Sequence, residues 1–221
     1  MLVFYGQGAY NKFMAQRTRA VIVDIDNTTL SCDQRRAALC AEVAGRPVLE
    51  DDVRQDLYCA RLLTSAQQAS YFDAFLSTRL MFMDQPYPCA AETLEAVRSS
   101  GARIIFLSGR FLRPVDKSKA TLQFMRQYGI FKEGDIAIFK PSMDVFDFDF
   151  KAAEIESLKK EYEILWAIDD TPRSLRIFKQ EGIYSIAITT SYPPARFDFA
   201  DLIVDGWDEV LARIQRGELI V

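Results

Sequence analysis

The chain has 221 residues, of which 49% are hydrophobic and 26% charged, the balance of a soluble globular protein with one sizeable core, or one core plus a small inserted domain. Its formal net charge of −4, from 27 basic and 31 acidic side chains, excludes a global basic field for gripping nucleic acid. The sequence contains no histidine, which excludes a Ser-His-Asp triad, a histidine general base and the common zinc sites.

Four cysteines, Cys32, Cys40, Cys59 and Cys89, show no Cys-x-x-Cys spacing. They read as buried thiols of a reducing compartment rather than a disulfide framework. Met1 to Tyr10 lack the basic start of a leader, and no apolar run is long enough to span a bilayer. A cytoplasmic protein without membrane association is therefore the expectation.

Residues 1–19 read as an N-terminal extension. The apolar, β-branched run that follows, Ala20-Val21-Ile22-Val23, reads as a fully buried strand. It leads into Asp24-Ile25-Asp26-Asn27-Thr28-Thr29. At a strand end, residues two apart can face one side, so Asp24 and Asp26 can converge on one point. Two close carboxylates stay ionised together only if a proton or a cation is supplied, and a hard divalent ion such as magnesium is the natural guest. Taken alone, the same residues also suit a simple turn.

Helix signals fill residues 33–85. Residues 33–44 form one helix, ended by Gly45-Arg46-Pro47, and residues 51–63 a second. Ser65 with Gln68 matches a capping box that opens a third. There Ala66, Ala69, Phe72, Leu76, Leu80 and Met83 make one apolar stripe, before Pro86-Tyr87-Pro88 ends the run. This stretch reads as a small all-helical cap inserted into a core of residues 20–32 and 86–221. It is either a lid above Asp24 or a side-docked ornament, the latter offering a dimer surface through Tyr58, Tyr71 or Phe75.

Beyond it, helices and strands alternate. Helices are expected at residues 90–100, 117–127, 151–162, 172–180 and 207–214, and strands at 103–107, 135–139, 164–168, 184–188 and 202–204. Such alternation predicts an α/β fold, a Rossmann-like three-layer α/β/α core with a parallel sheet. Ligands then bind beyond the C-terminal strand ends. Those ends carry Asp24 and Asp26, then Ser108-Gly109-Arg110, then Asp169-Asp170-Thr171-Pro172. Each group also has a plain structural reading, as a turn or a helix cap. Their clustering on one side of the sheet favours a site.

The order Asp-x-Asp-x-Thr, strand-Ser-Gly-Arg, lysine, strand-Asp-Asp resembles the haloacid dehalogenase superfamily, specifically its phosphatases, over roughly residues 20–214. Around residues 104–110 and 165–173 it is similar to the polynucleotide 3′-phosphatase and class B acid phosphatase branches. The resemblance implies that Asp24 is the nucleophile and Asp26 the general acid and base. It implies that Asp24, the backbone carbonyl of Asp26, and Asp169 hold Mg2+, with Asp170 supporting that shell. Thr28 belongs to the same motif and is expected to contact substrate. Ser108, Gly109 and Arg110 are expected to bind it as well, with Lys151, favoured over Lys119 and Lys140, neutralising phosphate and Asp24. Asn27 stands where many relatives have glycine, but asparagine tolerates the left-handed backbone a turn there needs.

The expected activity is a magnesium-dependent phosphomonoester hydrolase acting through an aspartyl-phosphate on a small phosphorylated metabolite. A nucleic-acid 3′-end phosphatase is the alternative, suggested by the basic cluster Arg110, Arg113, Lys117 and Lys119. A catalytically idle member serving as a binding or assembly module is the other. Nothing in the sequence specifies an oligomeric state.

Overall fold

Ala20, Val21, Ile22 and Val23 are fully buried because the strand they belong to runs through the middle of a sheet. The structure, a computed structural model, describes residues 17–54, 61–75, 79–111, 119–142 and 144–221. Its first elements are β1 (Thr18–Val23), β2 (Leu30–Ser31), α1 (Asp33–Ala44), α2 (Ser65–Phe75) and β3 (Gln85–Pro86). Then come α3 (Ala90–Ser99), β4 (Arg103–Phe111), α4 (Lys119–Gln127), β5 (Ile136–Lys140) and α5 (Asp147–Glu161). The chain continues through β6 (Tyr162–Asp169), α6 (Pro172–Gln180), β7 (Tyr184–Ile188), β8 (Leu202–Val204) and α7 (Trp207–Gln215).

Six strands form one parallel sheet in the order β5-β4-β1-β6-β7-β8. Side chains alternate across its plane, so each strand feeds two cores. Val21 and Val23 pack on one face with Leu94, Val97, Met125 and Trp207, under α3, α4 and α7. Ala20 and Ile22 pack on the other with Ile155, Leu158, Leu175 and Phe178, under α5 and α6. This is the Rossmann-like α/β/α arrangement that the alternation predicts. The chain leaves β1 towards β4 and β5 on one side and returns to β6, β7 and β8 on the other. That reversal opens a crevice at the C-terminal end of β1, the place where such sheets bind ligands.

The helical insert leaves the core at β2 and returns at β3, two short antiparallel strands paired Leu30 to Pro86 and Ser31 to Gln85. It has a small core of its own, with Leu39, Cys40, Val53, Leu63 and Tyr71 buried together.

Several boundaries differ from expectation. β1 starts at Thr18, and Arg19 reaches back to the carbonyls of Ser100 and Val221. Residues 1–16 lie outside the described residues, as do residues 55–60 of the expected helix 51–63, with Cys59 and Tyr58 among them. At the front of that helix Glu50–Asp52 forms a 3-10 turn. The capping box exists one residue earlier, where Thr64 and Gln67 exchange hydrogen bonds through backbone and side chain. The apolar stripe is a correction: Ala66, Ala69 and Phe72 are exposed, and Leu76 lies outside the described residues. The helix buries Tyr71 instead, with Ala74 and Phe75 half-buried beside it. Those three residues keep helical spacing and offer more apolar area than the two alanines of the expected face. Cys32 and Cys40 are buried and Cys89 half-buried, all free thiols. Among the described residues no helix is long and apolar enough to cross a membrane.

Candidate active site

The turn after β1 is held from several directions. Asn27 has the left-handed backbone, φ 54°. Its amide group donates to Asp33 at 3.0 Å and Ser191 at 3.2 Å, and its side-chain oxygen accepts the Cys32 N–H at 3.0 Å. Thr29 Oγ1 donates to the Asp24 carbonyl at 2.6 Å. The Trp207 indole, at the start of α7, donates to the Thr28 carbonyl at 2.7 Å. A turn fixed this way presents the Asp24 side chain in one orientation, the pre-organisation a reactive group needs.

Asp24 is buried, and Lys151 Nζ donates to it at 2.8 Å while Thr28 Oγ1 donates at 3.2 Å. The same ammonium donates to Asp169 at 2.6 Å. Burial lifts the Asp24 carboxyl to about 7; Lys151 pulls against this and Asp169 adds to it. Burial also opposes the charge on Lys151, but Asp169 and Asp24 outweigh it and hold the ammonium firmly protonated. Lys151 sits in the second turn of α5, since the helix starts at Asp147 rather than at Lys151. Of the other two lysines considered, Lys140 pairs with Asp147, and the side chain of Lys119 lies outside what is described.

Asp24, Asp169 and Asp170 each place a carboxylate oxygen within 4.8 Å of the others. Asp170 accepts from Thr28 and Thr171, and from Ser191. Three buried carboxylates face one ammonium, an excess of negative charge that oxygen-seeking divalent ions relieve. The donor set fits such an ion. The side chain of Asp26 is not part of it.

Asp26 is clamped by Arg110, whose Nε lies 2.9 Å and Nη2 2.6 Å from its two oxygens. Burial works to raise this carboxyl, but Arg110, then Arg35 and Arg36, win and hold it near 2. Arg110, expected at the substrate, lines the same cavity as Asp24 and Lys151 and is engaged there by carboxylates. Ser108 pairs with Phe139 and Phe111 with Lys140, so Gly109 and Arg110 form a bulge in β4. A bulge re-aims side chains, and this one turns Arg110 inward, onto Asp26, Asp84 and Thr121. Arg113 and Lys117 lie outside the described residues. Ser108 is buried, with its Oγ accepting the Arg110 N–H at 3.2 Å. A Cβ on Gly109 would stand 2.7 Å from the Asp147 carboxylate, so only glycine fits there without displacing it.

A cavity of about 160 Å³ opens between these groups, lined among others by Asp24, Asp26, Ser108, Gly109, Lys151 and Asp170. Sequence reasoning missed Ser191, Trp207, Arg35 and Asp84, which support the site from elements remote in the chain. None of them sits in a recognisable motif, so local pattern held no signal for them.

No protein-family model matches the sequence, and no curated protein matches it either. Solved structures do match in fold. A haloacid dehalogenase-like family hydrolase from Streptococcus pneumoniae superposes with a TM-score of 0.68 at 17% identity, covering 90% of this chain and 99% of that one. A predicted phosphatase from Clostridium acetobutylicum gives 0.66 at 14% identity, over 91% and 100% of the two chains. A predicted phosphoglycolate phosphatase from Haemophilus somnus gives 0.63 at 15%, over 90% and 98%. The chain thus has the fold of the haloacid dehalogenase-like hydrolases and phosphatases.

Proposed function

We propose that this chain is a magnesium-dependent phosphomonoester hydrolase, acting on a small phosphorylated metabolite through an aspartyl-phosphate. The observation that carries the reading is Asp24: a buried carboxylate, fixed by Lys151 and Thr28, beside Asp169 and Asp170 at the switch point of a parallel sheet. In the first step an Asp24 oxygen attacks phosphorus, and the bond from phosphorus to the leaving oxygen breaks. In the second, water attacks the same phosphorus and frees Asp24. Lys151 neutralises charge on Asp24 and on the phosphoryl oxygens, and Ser108 with the Gly109 backbone positions those oxygens. A magnesium ion held by Asp24, Asp169 and the Asp26 carbonyl, with Asp170 in support, would offset repulsion between carboxylate and phosphate.

Asp26 is a carboxylate here, the form that takes a proton from water in the second step. Protonating the leaving oxygen in the first step requires Arg110 to loosen its hold. Asp26→Asn removes both proton transfers, a loss of roughly 10²–10⁴-fold on alkyl phosphates. An activated aryl phosphate needs no proton on departure and should lose less. Equal losses on the two would restrict Asp26 to the base role.

The metal is tested without turnover. Magnesium should raise the melting temperature, by an amount matching about 2.7 kcal/mol when its concentration is about 100 times its dissociation constant. Asp169→Asn should abolish that shift. Turnover at full rate in excess chelator would refute the metal assignment.

The nucleic-acid reading stays the alternative: of the basic cluster that suggests it, Arg110 lines the cavity and is held by Asp26 and Asp84, and Arg113 and Lys117 lie outside the described residues. A panel of phosphorylated metabolites and 3′-phosphorylated oligonucleotides, assayed with magnesium, tests the choice directly.

A further inference from the structure

Two side chains beside the Asp24 turn have no part in the reaction proposed above: Asn27, which lines the cavity, and Ser191, in the loop between β7 and β8. Both are buried, and hydrogen bonds run from one through the other to Asp170. The direction of that chain follows from what each group is able to donate. The backbone N–H of Cys32 only donates, so the atom it meets at 3.0 Å is the Asn27 Oδ1. The amide nitrogen therefore faces Asp33 and Ser191, donating to the Asp33 carboxylate at 3.0 Å and to Ser191 Oγ at 3.2 Å. With its oxygen accepting from Asn27, Ser191 turns its single hydrogen to Asp170 Oδ2.

Asp170 has use for such a donor. Its Oδ1 meets Thr171 at 3.1 Å and Thr28 at 3.4 Å, but Thr28 has one hydrogen to share between Asp170 and Asp24. Asp24, Asp169 and Asp170 place carboxylate oxygens within 4.8 Å of one another, and like charges that close turn apart unless something holds them. A hydroxyl on Oδ2 fixes the rotation of the Asp170 carboxylate and stabilises its charge. Thr190 Oγ1, next in the chain, donates to the Asn27 carbonyl, so the loop stays against the turn even without the Ser191 hydroxyl. At the far end Arg54 holds Asp33 at 3.1 Å, which anchors the chain of bonds in the insert. Asn27 has a φ of 54°, a backbone that glycine adopts freely. What asparagine adds at this position is its side chain.

We propose that Ser191 and Asn27 are positioning residues of the magnesium site: Ser191 holds Asp170 in the orientation that supports the metal, and Asn27 holds Ser191. This rests on the metal assignment made with the phosphatase reading, and the experiment separates the two.

The melting temperature is followed against magnesium concentration at constant ionic strength, which gives the dissociation constant without turnover. Groups that orient a metal ligand typically weaken metal binding about 10–100-fold when removed, and Ser191→Ala should fall in that range. Its metal-free melting temperature should stay within a few degrees of the parent, because Thr190 still holds the loop. Ser191→Thr keeps the hydroxyl and should bind magnesium nearly as the parent does. Asn27→Gly suits the φ of 54° and removes the bridge; it should weaken magnesium by roughly 3–10-fold, the worth of one hydrogen bond. Because Asn27 acts through Ser191, the double variant should bind magnesium no more weakly than Ser191→Ala alone. An unchanged dissociation constant in Ser191→Ala, or a threonine variant as weak as the alanine one, overturns the proposal. Losses that multiply in the double variant overturn the part given to Asn27. Where threonine or glycine prevents folding, Ser191→Ala alone decides. A parent that does not respond to magnesium overturns the metal assignment and this proposal together. A parent that binds magnesium with the expected Ser191 dependence, yet hydrolyses no phosphate ester, overturns the phosphatase reading and leaves this one standing.

Discussion

Asp24→Asn is expected to lower phosphatase turnover by at least ~10⁴-fold, the scale on which removal of a covalent nucleophile acts in other hydrolases. The amide is nearly isosteric but cannot form the phosphorylated intermediate. The fold should survive. Lys151 keeps its 2.6 Å contact to Asp169, so the buried ammonium is not stranded, and Thr28 can still bond an amide oxygen. Removing the charge also removes one that burial disfavours, since the Asp24 carboxyl already stands at about 7. A melting temperature within a few degrees of the parent, with no measurable steady-state turnover, is the expected pair of results. Residual activity in protein free of contaminating phosphatases, at more than a thousandth of the parent rate, would remove Asp24 from the nucleophile's role.

The parts of this site that were legible in the sequence sit on single strand ends. β1 announces itself by four consecutive apolar residues, and Asp24 and Asp26 follow at once. Ser108 and Asp169 are likewise the polar residues that end an apolar run. A parallel sheet brings such ends together, so knowing the fold class was enough to gather them. Side-chain direction was not legible in the same way. Arg110 follows Ser108-Gly109 and looks like part of a phosphate loop, and the two-residue bulge against β5 sets it in the cavity wall against Asp26 and Asp84. A bulge depends on the partner strand, and nothing in residues 108–111 states what that partner will be. The third helix shows the same limit on a smaller scale. Two faces of residues 65–75 carry helical apolar spacing, and only packing on α1 decides that Tyr71 rather than Phe72 is buried. Ser191 and Trp207 brace the Asp24 turn from 164 and 179 residues away, with contacts that no local pattern encodes.

The largest stability effect is expected at Asp84, a residue without any sequence signal. Its side chain is fully buried where the insert rejoins the core, between Arg35 of α1 at 2.9 Å and Arg110 of β4 at 3.1 Å. Arg110 also holds Asp26 at 2.6 Å, and Arg35 reaches the same carboxylate at 3.8 Å. Two guanidiniums thus face two carboxylates, and all but Asp26 are nearly closed to water. Among the described residues, Asp84→Ala leaves Asp26 as the one carboxylate beside both guanidiniums, and an uncompensated buried charge costs about 3–5 kcal/mol. Burial, the largest influence on Asp84, raises its carboxyl even against Arg110 and Arg35, which places the expected cost near the lower end of that range. In a chain of this size each kcal/mol lowers the melting temperature by roughly 2–4 °C, so a fall of about 6–12 °C is expected. Lost packing alone could produce a fall of that size, and a double variant separates the causes. Asp84→Leu with Arg35→Met removes one charge of each sign and restores the balance around Arg110 and Asp26. It should therefore lose less stability than Asp84→Leu alone, because neighbouring charges are not additive. If the double variant instead loses the sum of its single changes, the cluster contributes shape rather than charge, and Asp84 holds the insert to the core by packing.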